Sequence, residues 1–147
     1  KVKGQKGVLS VEKKLFVETN NGTNRQIRPV TPEQPLRIGD KVIVRLTIRT
    51  DREMNYVFLK DLRAGCFEPA DQLSGPESRD GIWYYRSPKD VSENFFINRL
   101  PEGTFVLEYP VYVSRSGEYA GGISTIQCMY APEFVSHTAG ESLRIMP

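Results

Sequence analysis

The sequence predicts an all-β, antiparallel, immunoglobulin-like sandwich, and three observations predict it. No segment carries a sustained apolar stripe at i, i+3, i+4, i+7, so helix is expected in under about a tenth of the chain. Short runs instead alternate with period two, most clearly where Val42, Val44, Leu46 and Ile48 alternate with Ile43, Arg45, Thr47 and Arg49. That pattern gives a strand with one face in a core and one in water. Turn residues then recur at a spacing that leaves about eight to ten short strands, which suits two packed antiparallel sheets.

Taken in order, Leu9, Val11, Leu15 and Val17 bracket a first strand from Ser10 to Glu18, and Asn20-Asn21-Gly22 supplies a turn. A short strand from Thr23 to Arg28 would close a hairpin. Gly39-Asp40 turns the chain into the Val42 strand, and Thr50 to Asn55 turns it out again into a strand from Tyr56 to Leu59. Ala70 to Asp80 is the longest loop-like gap. Two aromatic-rich strands follow, Ile82 to Arg86 and Asn94 to Asn98. Leu100-Pro101-Glu102-Gly103-Thr104-Phe105 has the look of a corner between sheets, where Leu and an aromatic anchor a tight turn. Gly103 to Ser114 is the longest strand, with Pro110 marking a bulge or an edge. Glu118 to Tyr130 follows Ser116-Gly117, so these two runs read as a hairpin, and Leu143 to Ile145 forms a last short strand. The expected core is Val42, Val44, Leu46 and Ile48, or their alternates on the other face, with Phe105, Leu107, Ile123 and Ile126.

The chain has 147 residues, of which 39% are hydrophobic and 26% charged. That suits one folded domain spanning 1–147, with residues 1–8 as a flexible arm carrying Lys1, Lys3 and Lys6. Twenty basic and 18 acidic side chains leave a net charge of +2, too weak a field to select nucleic acid or an anionic membrane. No apolar run approaches the ~18 residues of a membrane span. The chain starts at Lys1 without Met and without a signal peptide, which reads as a mature or excised segment.

Few residues carry chemistry. Cys66 and Cys128 are either two buried thiols or one disulfide, which would be worth about 4 kcal/mol across so long a loop. With only one histidine, His137, they cannot complete a tetrahedral zinc site. A Cys/His dyad is outweighed by packing, because Gln127-Cys128-Met129 ends an apolar strand. No G-x-S-x-G elbow, calcium loop or phosphate loop occurs. Asp61, Glu68, Asp71, Asp80 and Asp90 read as loop and turn carboxylates rather than a glycosidase pair. Asn21-Gly22-Thr23 fits a glycosylation sequon, but the same residues make a turn. No enzyme activity, cofactor or metal is implied. The aromatic run Trp83, Tyr84 and Tyr85, with Phe95 and Phe96, divides between core packing and an exposed platform.

Several segments together resemble one family. They are Leu9-Ser10-Val11-Glu12-Lys13-Lys14-Leu15-Phe16, Gly39-Asp40-Lys41-Val42, Leu59-Lys60-Asp61 running on to Pro69, Gly81-Ile82-Trp83-Tyr84-Tyr85, Asn94-Phe95-Phe96, Leu100-Pro101-Glu102-Gly103-Thr104 and Met129-Tyr130-Ala131-Pro132-Glu133-Phe134. In order and spacing the chain resembles the C-terminal macroglobulin-like domain of bacterial alpha-2-macroglobulins, large protease-trapping proteins of the cell envelope. The resemblance implies a macroglobulin-like β-sandwich that is a non-catalytic domain of a protease inhibitor. Its partners would be the other domains of one large polypeptide and, indirectly, target proteases. Its location would be periplasmic or at the cell surface, in a membrane-anchored lipoprotein whose anchor lies outside this segment. In the family a tyrosine near the Met-Tyr-x-Pro motif shields a thioester in the neighbouring domain, and the matching residue is Tyr130, flanked by Met129 and Pro132. The thioester motif itself is absent, since neither cysteine has Cys-Gly-Glu-Gln surroundings.

Two functions therefore stand. An inhibitor domain requires an apolar interdomain patch that includes Tyr130. A stand-alone glycan-binding or adhesin module requires Trp83 and a neighbour on an open face. Pro132 cannot donate to a ladder, so pairing should stop near it and leave the Tyr130 ring partly exposed.

Overall fold

Period-two patterning becomes strands wherever one face can be buried. A computed structural model describes residues 8–22, 24–70 and 74–147, and none of these is helical. Lys1, Lys3, Lys6, Thr23 and Asp71 lie outside the described residues. Of the expected arm, Val8 is described. It packs against the core, and its carbonyl accepts the Asp51 amide at 3.0 Å.

The strands in chain order are β1 (Leu9–Asn21), β2 (Asn24–Pro29), β3 (Leu36–Arg37), β4 (Lys41–Thr50), β5 (Met54–Leu62), β6 (Phe67–Pro69) and β7 (Gly75–Arg79). They continue with β8 (Ile82–Pro88), β9 (Ser92–Leu100), β10 (Gly103–Val113), β11 (Gly117–Ala120), β12 (Ser124–Cys128), β13 (Val135–His137) and β14 (Ser142–Met146). Two antiparallel sheets face each other. One has five strands in the order β2-β1-β4-β10-β6, and the other has six in the order β13-β12-β5-β9-β8-β7. A small third sheet, β11-β14-β3, contains the one parallel pairing among the described strands, Ile145 beside Leu36.

The core lies between the two large sheets. Val42, Val44, Leu46, Ile48, Leu107 and Val111 meet Val57, Leu59, Phe95, Ile97 and Ile126, all buried. Tyr84, Phe95 and Tyr109 carry a chain of tilted rings across the gap, with centroids 5.6 and 6.0 Å apart. The residues 100–105 do form a corner, joining β9 in the six-stranded sheet to β10 in the five-stranded one.

Several expectations are corrected. The run from Glu118 to Tyr130 is two strands, and it makes no hairpin with β10: β11 joins the small sheet and β12 the six-stranded one. Gly121 and Gly122 between them cause the break. A Cβ on Gly122 would stand 1.8 Å from the Leu62 carbonyl oxygen, so only glycine lets the chain slide past the end of β5. Pro110 makes no bulge, because the β10–β4 register runs unbroken through Pro110 opposite Ile43. Phe105 and Ile123 are only partly buried, and Ile43, expected on the wet face, is buried between Phe16 and Pro110 in the register. The gap at 70–80 contains β7, which Asp80-Gly81 turns back onto β8. Both turn residues have positive φ, 59° and 87°, as a two-residue hairpin whose twist matches the strands requires.

Candidate functional site

The two outer faces of the sandwich differ in chemistry. On the five-stranded sheet, outward charges pair with one another: Arg25 and Lys41 with Glu18 at 2.9 and 3.3 Å, and Arg45 with Glu108 at 2.6 Å. Pairs at a surface, partly open to solvent as these are, are worth about 0–1 kcal/mol each, and they mark a face that can stay in water.

The six-stranded sheet presents something else. Its register places Val135, Gln127, Phe58, Phe96, Tyr85 and Pro76 in one row across all six strands. Phe58 and Phe96 stack with centroids 4.8 Å apart. Beside that row lie Tyr56, Asn98 and Trp83, and on its other side Thr125 and Lys60, with Asn94 and Ser87 following in the register but buried. No carboxylate occupies any of these positions. Aromatic residues, Met and amide side chains without buried charge are the composition of a contact surface.

Sequence alternation fixes which aromatics reach this face. Trp83 is 70% exposed, and Tyr85 and Phe96 are also exposed. Tyr84 is corrected as a surface candidate: it is 4% exposed, because Ile82, Tyr84 and Arg86 share the inward parity of β8. Its hydroxyl donates to Glu77 Oε1 at 3.2 Å. Trp83, Tyr85, Phe96, Asn98 and Arg99 line a groove of about 420 Å³.

The other end of the face is built by the turn after β12. Pairing ends at Cys128, and two overlapping turns follow, in which the Ala131 amide donates to the Cys128 carbonyl and the Phe134 amide to the Ala131 carbonyl. The Pro132 carbonyl accepts Gln127 Nε2 at 3.1 Å, fixing the loop to the strand. Met129 is exposed, and Tyr130, at 77%, is the most exposed of the large apolar side chains described. The Tyr130 ring leans on Tyr56 at 4.7 Å between centroids. Tyr56, Phe58, Phe96, Met129 and Tyr130 surround a second groove of about 290 Å³.

Cys66 and Cys128 are free and buried. Burial pushes the Cys66 thiol up to about 11, the wrong direction for a nucleophile. Cys128 faces the core while His137 lies exposed on the opposite side of the sheet, so these two form no dyad. Among the described residues no cluster of His, Cys, Asp or Glu is arranged to hold a metal ion.

Sequence reasoning missed the buried polar clasp between the sheets. Asp61, expected in a loop, sits in β5 with no exposure. Its Oδ1 accepts Lys13 Nζ and Ser124 Oγ, each at 2.7 Å, and its Oδ2 accepts the Tyr109 hydroxyl. Lys13 Nζ also donates to the Gly122 carbonyl at 3.1 Å. Burial, then the Asp61 charge, holds the Tyr109 phenol well above its ordinary range. Beside it Arg86 forks onto Glu93 at 2.6 and 2.9 Å, both side chains buried. The signal was present: Val11, Lys13, Leu15 and Val17 share one parity, and a lysine pointing inward demands a carboxylate.

Comparison with known proteins fits this architecture. The family model of the bacterial alpha-2-macroglobulin MG10 domain matches residues 9–133, and the chain belongs to that family. The crystal structure of Salmonella alpha-2-macroglobulin reacted with methylamine superposes with a TM-score of 0.71 at 21% identity, covering 96% of this chain and 9% of that one. Trypsin-activated alpha-2-macroglobulin from Escherichia coli gives 0.72 at 17% identity, covering 96% and 10%. Native Escherichia coli alpha-2-macroglobulin from domain MG7 to the C-terminus gives 0.70 at 17%, covering 96% and 24%. A curated relative, "Circularly permutated Ras protein 2" of Dictyostelium discoideum, is 28% identical over 109 residues, 74% of this chain and 3% of that protein. The chain thus spans a small part of each of these relatives.

Proposed function

We propose that this chain is a non-catalytic domain of an alpha-2-macroglobulin-like protease inhibitor of the bacterial envelope. In this reading the outer face of the six-stranded sheet packs against the neighbouring, thioester-type domain of the same polypeptide. The observation that carries it is Tyr130, a large ring 77% exposed at the edge of an aromatic face. Met129 and the Tyr56 ring accompany it, and Pro132 holds its turn. A hydrophobic ring with a hydroxyl tip suits a residue that excludes water from one side and finds a polar partner on the other. In this reading the parent polypeptide is a periplasmic or cell-surface lipoprotein. Trapping belongs to the whole polypeptide, so the isolated chain neither cleaves nor inhibits a protease.

A stand-alone glycan platform is the second reading, favoured by Trp83 at 70% exposure over the 420 Å³ groove. The continuity of the face from Trp83 to Tyr130 favours a broad protein partner instead. The test is Tyr130→Ala in a thioester-bearing parent polypeptide, followed by thiol release in buffer. Release faster than wild type is expected. Unchanged release, or protease inhibition by the isolated chain, contradicts the reading.

A further inference from the structure

Tyr56 adopts φ +60°, the left-handed region that a bulky side chain rarely enters. It stands within β5, between Asn55, which pairs with Arg99, and Val57, which pairs with Ile97. Strain of this kind persists only where the surroundings enforce it, and it concentrates at functional contacts. Here the twist does two things to one neighbour. It presents the Tyr56 carbonyl to the Met129 amide at 2.8 Å, and it sets the Tyr56 ring against Tyr130 at 4.7 Å. Both contacts hold the turn that leads out of β12, and both leave the two rings exposed.

We propose that Tyr56 is the positioning residue of the Tyr130 contact. Its left-handed backbone prearranges residues 129–130, and the two rings line a socket together with Phe58 and Phe96. The socket, about 290 Å³ and free of charge, takes an apolar side chain from the neighbouring domain. That occupant is favoured because the matched alpha-2-macroglobulin chains extend far beyond the 9–24% covered here. The inference rests on the interdomain reading above, and its test separates the two.

Met129 is exposed and Met54 is buried, so dilute hydrogen peroxide distinguishes them. The quantity measured is the rate of Met129 sulfoxide formation in the isolated chain divided by that in the parent polypeptide, for each variant. In wild type this protection ratio is well above one; a ratio of one contradicts the interdomain reading itself. Tyr56→Gly accepts the backbone without strain but removes the ring, and it lowers the ratio about two- to tenfold, the equivalent of one lost ring pair. Tyr56→Phe keeps the ring and keeps the ratio. A wild-type ratio in Tyr56→Gly, or an equal loss in Tyr56→Phe, overturns the inference while leaving the interdomain reading standing. Oxidation of Met54 would reveal an unfolded variant, and Tyr56→Asn, which also tolerates positive φ, is then judged by the same two ratios.

Discussion

Tyr130 and Cys66 illustrate opposite uses of a single side chain. Tyr130 contributes little to the fold that carries it, and Tyr130→Ala costs the isolated chain less than about 1 kcal/mol, as exposed substitutions do. A melting curve checks this; a loss of several kcal/mol would make Tyr130 an ordinary packing residue. Cys66 is buried, with its thiol pushed up to about 11 from an ordinary 9.0. The raised value means the folded state holds its proton longer than the unfolded state does. Its contribution is intact below about pH 9 and is lost as the pH rises through about 11, at most about 3 kcal/mol in all. Urea midpoints taken between these limits check the slope, and Cys66→Ala should flatten it. At this scale the sequence was partly legible. Pro132 announced the turn that exposes Tyr130, and counting parity from Ile82 separates inward Tyr84 from outward Trp83. The left-handed backbone of Tyr56 has no signal in its residue type, since glycine or asparagine is what such a position ordinarily shows.

Among elements, β4 was legible because its pattern serves one buried face, and a one-residue slip would turn every side chain around. The strands β11 and β12 were not, because their division depends on Gly122 passing within contact of Leu62, a tertiary event invisible in a local window. The strand β7 was hidden by its composition, Gly-Pro-Glu-Ser-Arg, which an edge strand tolerates once a Asp80-Gly81 turn lays it against β8. Between the sheets, Lys13 of β1 and Tyr109 of β10 reach Asp61 and so fix how the two layers sit. Asp61→Ala takes the carboxylate from the half-buried Lys13 ammonium, which keeps only the Leu62 and Gly122 carbonyls, and leaves the buried Tyr109 and Ser124 hydroxyls without their acceptor, at a cost of about 3–5 kcal/mol. Chemical denaturation measures it. A cost below about 1 kcal/mol would show that the clasp is dispensable and that apolar packing alone sets the arrangement of the sheets.

Across the whole molecule, the informative feature is that one outer face is laced with ion pairs while the central rows of the other carry aromatics and amides. The resemblance in the motifs reached the family, and the fold class followed from periodicity. The continuity of the aromatic face needed the register of six strands, which no single segment encodes. The central claim is that another domain of the same polypeptide covers this face. Hydroxyl-radical footprinting of the isolated chain beside the parent polypeptide tests it most directly. The account predicts strong labelling of Met129, Tyr130, Tyr56 and Phe96 in the isolated chain and their protection in the parent, with Phe16 and Tyr112 on the ion-paired face labelled alike in both. Equal labelling of the aromatic face in the two would contradict it.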